Sequence, residues 1–387
     1  TISVLSSSLS IKSALDSQLK ELTPVDVNLY KIAYLPESYV NSYNGNTVYY
    51  TEEQREDSRN PVSYTLKTNG YDMNSLKDIV EIPIYAIPEW TLKHSFGDYY
   101  ETVKSQFSML TYDTPESIIK ISDYNKIASL YGEEQYTLKD DEYIVLCDFE
   151  QMTSLRNEAM KVNSNIEING KTYHSKYDEC QNGFVFMSSS NMNGGIILVP
   201  DSFEVKDEWT QQYFLAANYN AETDEEKEEL DKIFSEENDN ILFDNLENKG
   251  IDLLGITKIS LTEASKGLAT IIIFISIYLG IIFLIASSAI LALKQLTESS
   301  DNKQRYTILR KIGCDEKMIN QALFRQIAIF FMLPLVFAII HSIFGIQFVL
   351  SMMAGLASAK ELLPSIIATV IIIGVIYGLY FLATYLG

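Results

Sequence analysis

The chain has 387 residues, a mean hydropathy of +0.01 and a formal net charge of −21. The charge is unevenly spread: residues 1–262 hold 21 basic and 45 acidic side chains, a net of −24, whereas 263–387 hold nine basic and six acidic ones. So acidic a segment repels phosphate, which excludes nucleic acid as its partner. The average hydropathy conceals a second part made of long uncharged runs.

Residues 1–11 carry Ile2, Val4, Leu5, Leu9 and Ile11 among serines, and 11–23 continue as a short amphipathic helix with Ile11, Ala14, Leu15, Leu19 and Leu22 on one stripe. Thr23-Pro24 ends it. Beyond it, short runs rich in Tyr, Val, Ile and Phe alternate with turn signals and predict strands. Asn44-Gly45 and Asn169-Gly170 fit hairpin turns. Residues 51–60 read as an exposed loop. Phe184–Met187 and Ile196–Val199 are expected to pair across Asn193-Gly194-Gly195. A helix is expected over 122–131, with Ser122 as its cap and Gly132 after its end. A second is expected over 221–236, where Thr223 and Glu226 form a capping box and Leu230, Ile233 and Phe234 turn inward. The ten acids in 222–239, against two Lys, read as a solvated helix face. The whole of 1–262 is expected to form one α+β domain.

Three uncharged runs follow, at about 267–293, 327–350 and 362–386. Each exceeds the ~20 residues that cross ~30 Å of hydrocarbon, so 263–387 is expected to be an all-α transmembrane bundle of three helices. The segment 294–325 between the first two runs holds seven Lys or Arg; that between the last two holds Lys360 alone. The positive-inside rule then places 294–325 in the cytoplasm and residues 1–262 outside a cell membrane crossed several times. The chain opens at Thr1 without Met, signal peptide or basic leader. An exported domain therefore implies a preceding helix, with 1–11 as its end.

Catalytic patterns are missing from the sequence: it has no P-loop, no His-Glu-x-x-His, no Gly-x-Ser-x-Gly and no Gly-x-Gly-x-x-Gly. His94, His174 and His341 share no metal-ligand spacing with Cys or acids, so neither enzymatic activity, cofactor nor metal is expected. His341 lies inside the second run beside Ser342, seven residues after Pro334, a kink position. A helix–helix hydrogen bond is the plainer reading of His341 and a functional polar site the other. Cys147 and Cys180 are left as either a disulfide pair or two buried thiols.

The most informative stretch is 302–325. In 304–312, Tyr306 or Ile308, then Leu309 and Ile312, share a stripe, with Arg305, Arg310 and Lys311 around it. Gly313 stops that helix and Asp315 with Glu316 starts another. The expectation is a short amphipathic helix under the bilayer, turning tightly into a span.

This string, RYTILRKIGCDEKMI followed by QIAIFFMLPLVFAIIHSIFG, resembles the FtsX-like permease domain of ABC transporters. Strings in the acidic part (SDYNKIASLYGEEQYTLKDDEY and GGIILVPD) are most similar to permeases of the bacitracin-export type. The resemblance covers 115–387 and implies an FtsX-like unit lacking its first helix. It also implies a cytoplasmic ABC ATPase, in two copies, coupled through Arg305, Tyr306, Leu309, Arg310, Lys311, Ile312 and Gly313. An outer domain that recognises peptide antibiotics or lipid-linked cell-wall precursors, membrane lipid as a contact and a sensor histidine kinase as a further partner are implied too. Alternatives are another permease of that superfamily, serving efflux, lipoprotein release or cell-wall hydrolase control, and a membrane-anchored receptor without ATPase.

Overall fold

The computed structural model describes residues 12, 15–33, 59–106, 111–162, 164–168, 170–206, 209–234 and 253–352, with scattered positions from 367 to 382. Two compact units result, one over 18–264 and one containing the chain from 265 onward.

The first unit is built on one mixed sheet. Its strands are β1 (Val27–Ile32), β2 (Leu76–Thr91), β3 (Pro115–Lys120), β4 (Glu142–Leu146), β5 (Asn165–Ile168), β6 (Lys171–Ser175), β7 (Ile196–Val199), β8 (Thr210–Tyr219) and β9 (Leu253–Thr257). They lie in the order β5-β6-β4-β7-β3-β2-β8-β1-β9. The pairs β3–β7 and β4–β6 are parallel; the others are antiparallel. Parallel neighbours need crossovers, and α4 (Ile121–Tyr131) and α5 (Glu150–Val162) lie on those connections. The smaller helices are α1 (Val62–Thr68), α2 (Leu92–Phe96), α3 (Tyr100–Gln106) and α6 (Asp224–Asp231).

The sheet is buried on both faces at its centre, which is why β7 reads Ile-Ile-Leu-Val without polar alternation. Ile196 and Leu198 join Ile144, Leu146 and Ile119 under Tyr124, Ile127 and Tyr131 of α4. Ile197 and Val199 face the opposite way, with Trp90, Tyr143, Phe203 and Trp209. Each fully buried aliphatic side chain contributes ~1.5–3 kcal/mol. At the other end, Val27, Leu29, Leu215 and Ala217 pack with Val62 and Leu66 of α1 and with Phe234.

Several expectations hold. Residues 15–22 are helical. β5 and β6 form the hairpin at Gly170, which takes φ +73°. α4 ends on Gly132 in the left-handed conformation, and the Thr223–Glu226 capping box is present. Others need correction. Phe184–Met187 is no strand: the segment is buried, and β7 pairs instead with β3 and β4. Side chains satisfy its backbone, with Tyr131 Oη donating to Val185 O at 2.8 Å and Met187 N donating to Asn28 Oδ1 at 2.7 Å. Ser122 does not cap α4 either: its backbone N–H lies inside the helix and donates to the Asp201 carboxylate at 3.2 Å. Of the two readings left open for Cys147 and Cys180, that of free thiols holds, and burial pushes Cys180 up to about 12. Asn44-Gly45, most of 51–60 and most of the third apolar run lie outside the described residues.

Candidate functional site

Two long helices carry the basic segment between the first two apolar runs. They are α7 (Lys258–Lys311, 54 residues) and α8 (Glu316–Met352, 37 residues). Each contains a 30-residue stretch long and apolar enough to cross a membrane, at Lys258–Ser287 and Glu316–Gly345. Only 19% and 6% of their most apolar portions are buried. Ile271, Phe274, Ile275, Leu333, Phe337 and Ile340 are among the exposed side chains. Faces of this kind are intolerable in water and ordinary in lipid.

The basic segment is not the separate short helix expected from its pattern. Residues 294–312 contain neither Gly nor Pro, so nothing stops propagation from the apolar part, and 304–311 form the end of α7. Thr297 and Thr307 donate their hydroxyls back to the carbonyls of Leu293 and Lys303, at 3.0 and 2.7 Å. Satisfied in this way, they do not interrupt the helix.

Gly313 does stop it, at φ +91°. Cys314 N donates to Leu309 O at 3.1 Å and Gly313 N donates to Arg310 O at 3.2 Å. These are the two bonds of a Schellman motif, which requires the left-handed residue that glycine supplies without strain. Asp315 O then accepts from Met318 N and Ile319 N at 2.9 and 3.2 Å, opening α8. Across the turn, Arg310 Nε and Nη2 donate to the two carboxylate oxygens of Glu316, at 2.8 and 3.3 Å. The pair is well exposed, 57% and 62%, and such pairs contribute ~0–1 kcal/mol. Its role is geometric: it closes the mouth of the turn.

The expected stripe divides in two. Tyr306 and Leu309 are half-buried on the side of α8, where Ile319 is buried; Tyr306 Oη donates to Gln326 Oε1 at 3.4 Å. Ile308 and Ile312, one turn apart, are 54% and 70% exposed. Arg305 and Lys311 are exposed beside them, and Met318 beyond the turn is 61% exposed. The result is an apolar strip edged by cations. Asp315, Glu316, Lys317, Asn320, Gln321, Phe324 and Arg325 line an open cleft of about 770 Å³ on the first turns of α8. Phe324 meets the Phe381 ring edge-on at 5.8 Å. Glu316, Gln326 and Ile319 were the partners not anticipated from sequence. Their signal was weak, since pairing across Gly313 at six residues' spacing belongs to the turn and not to a helix face.

Pro334 and His341 are not brought to this turn. Both lie further along α8, about 27 and 37 Å up its axis from Glu316 at 1.5 Å per residue. The helix continues through Pro334; Ser342 is buried and His341 is exposed. In the sheet unit His94 and His174 are exposed, and His174 Nδ1 meets Asn165 Oδ1 at 2.8 Å. Among the described residues no group of three His, Cys, Asp or Glu side chains is placed to hold a metal.

A mixed-sheet domain running directly into long apolar helices, joined by a basic, exposed turn, defines a membrane protein with a large polar domain. Comparison with known proteins gives this class more detail. The chain is 37% identical over 92 residues to the bacitracin export permease protein BceB of Bacillus subtilis (strain 168), covering 24% of this chain and 14% of that protein. It is 31% identical over 80 residues to the ABC transporter permease protein YxdM of the same organism, covering 21% and 13%. To BceB of Halalkalibacterium halodurans it is 32% identical over 90 residues, covering 23% and 14%. The matched stretches thus span about one seventh of each relative's length. No known family profile matches the chain. The similarity to ABC permeases and the two apolar helices together support a membrane protein of the transport class.

Proposed function

We propose that the chain is the permease portion of an ABC transporter of the FtsX-like, bacitracin-export type, passing ATPase-driven movement between a cytoplasmic turn and an extracytoplasmic domain. In this reading residues 1–262 lie outside the cell. The turn from Arg305 to Gly313 docks on an ATPase, two copies serving each complex. The outer domain recognises peptide antibiotics or their lipid-linked targets, and its strongly negative charge attracts cationic peptides as a long-range field. A sensor kinase is a further partner.

One observation carries the reading. α7 is unbroken from the sheet unit to the exposed Ile308–Ile312 strip, so a push on the strip has a stiff element to act on. Similarity to permeases named for ABC transport and bacitracin export supports the same assignment. The absence of recognisable catalytic motifs in the sequence is compatible with a transport role.

The test is co-purification of the full-length protein in detergent. Wild type is expected to retain an ABC ATPase, Ile312→Asp to lose it, and Val162→Asp, at another exposed apolar position, to keep it. Ile312 is exposed, so the charge disturbs docking and not folding. If wild type retains no ATPase, the receptor reading takes precedence.

A further inference from the structure

The junction where β9 passes into α7 is held by a buried carboxylate that plays no part in the turn described above. Thr257, the last residue of β9, is fully buried, and its Oγ1 accepts from Ser260 N at 3.0 Å, capping the first turn of α7. The same hydroxyl donates to Asp231 Oδ2 at 3.0 Å. Tyr219 Oη donates to Asp231 Oδ1 at 3.0 Å, and Ser260 Oγ donates to Thr257 O at 3.0 Å. Asp231 is 4% exposed and Tyr219 is fully buried.

Nothing in the strand pairing calls for an acid at this point. A threonine caps a helix unaided, and burying a carboxylate beside it carries a desolvation cost. What the carboxylate adds is direction. By accepting the Thr257 hydroxyl's hydrogen bond it turns an oxygen lone pair toward Ser260 N, and it ties the cap to α6, of which Asp231 is the last residue.

The segment 224–234 grips the junction at two more points. Lys227 Nζ donates to both Asp26 carboxylate oxygens, at 3.1 and 3.0 Å, while Asp26 O accepts from Lys258 N, the first residue of α7, at 2.9 Å. Phe234 lies against β9 so closely that a Cβ at Gly255 would come within 2.7 Å of Phe234 O. Its ring is parallel to that of Tyr219, with centroids 6.4 Å apart.

We propose that Asp231 is a positioning residue that locks the Thr257 cap, so that the segment 224–234 and the first turn of α7 move as one piece. Building on the transmission role above, this makes 224–234 the place where an event in the outer domain is handed to α7, which then runs without a break to Lys311.

The experiment is hydrogen exchange on the full-length protein in nanodiscs. It compares wild type with Asp231→Ala, Thr257→Val, Thr257→Ser and the double variant Asp231→Ala/Thr257→Val. Either of the first two is expected to speed exchange about 10-fold or more both at 258–263 and at 224–234, leaving β3, β4 and β7 at wild-type rates. Thr257→Ser, which keeps the hydroxyl, is expected to restore protection. The double variant is expected to exchange more slowly than the two single effects added together would give, since both cut the shared Thr257–Asp231 bond. The proposal is overturned if Asp231→Ala loosens 224–234 alone, if the two effects add, or if exchange rises across the whole sheet, which marks a merely structural residue. ATPase retention is read in the same preparations. Its absence from wild type counts against the permease role and leaves the exchange rates to judge the lock.

Discussion

Asp148 and Arg156 show how the sheet unit handles charge in its interior. Arg156 is 4% exposed and binds both oxygens of Glu116 at 2.9 Å, with its Nε donating to Gly194 O at 2.7 Å. A Cβ at Gly195 would collide with that guanidinium at 2.2 Å, so glycine there is a requirement of close approach. Asp148 has no such cation. It accepts from Asn193 N at 2.6 Å, its other oxygen is buried without a partner among the described residues, and burial pushes its carboxyl up to about 6. Because the folded state holds this proton more tightly than the unfolded chain, its contribution to stability is complete below about pH 4 and is lost as pH rises through about 6. Asp148→Asn, which keeps the acceptor for Asn193, is therefore expected to unfold with a smaller drop in midpoint than wild type between pH 4 and 7. Fluorescence of Trp90 and Trp209, both buried in the sheet unit, reports the unfolding. Parallel pH profiles for the two proteins would remove the assignment.

Gly313 governs the α7–α8 connection at the scale of elements. The space around it is open, so Gly313→Ala meets no clash and costs only the left-handed backbone, roughly 1 kcal/mol. Exchange at the Cys314 amide, which closes the Schellman motif, is expected to rise about 5-fold in Gly313→Ala and less in Gly313→Asn, since Asn tolerates this conformation. Equal effects of Ala and Asn would argue against a conformational cause. This stop was legible in the sequence because glycine after a helical stripe has a single local meaning. The continuity of α7 was not legible: 294–311 change from apolar to charged without a helix breaker, and a change of solvent gives the same pattern as a change of element. Hairpin β5–β6 and the capping box of α6 were legible for the same local reason as Gly313. The segment 184–187 misled because burial gives strands and buried coil the same apolar composition; only the distant Asn28 and Tyr131 decide between them. The Arg310–Glu316 closure and the Asp231–Thr257 bond likewise join residues whose spacing carries no periodic signal.

For the molecule as a whole, the proposed topology has the sheet domain outside the cell and the basic turn inside it. Cys314 sits in that turn and is half-buried, which makes it a native reporter of orientation. In a background of Cys147→Ala and Cys180→Ala, a membrane-impermeant maleimide is expected to label Cys314 in inverted vesicles and not in intact cells. Labelling from outside would reverse the topology and place the acidic domain in the cytoplasm.

The central claim is that the exposed Ile308–Ile312 strip meets an ATPase, and a photo-crosslinking residue at position 312 in the full-length protein tests it in the cell membrane. The account predicts a covalent adduct with an ABC ATPase from position 312 and none from position 64, where an exposed Tyr lies in the sheet domain. Adducts with lipid alone at 312, or with the ATPase at 64, would contradict it.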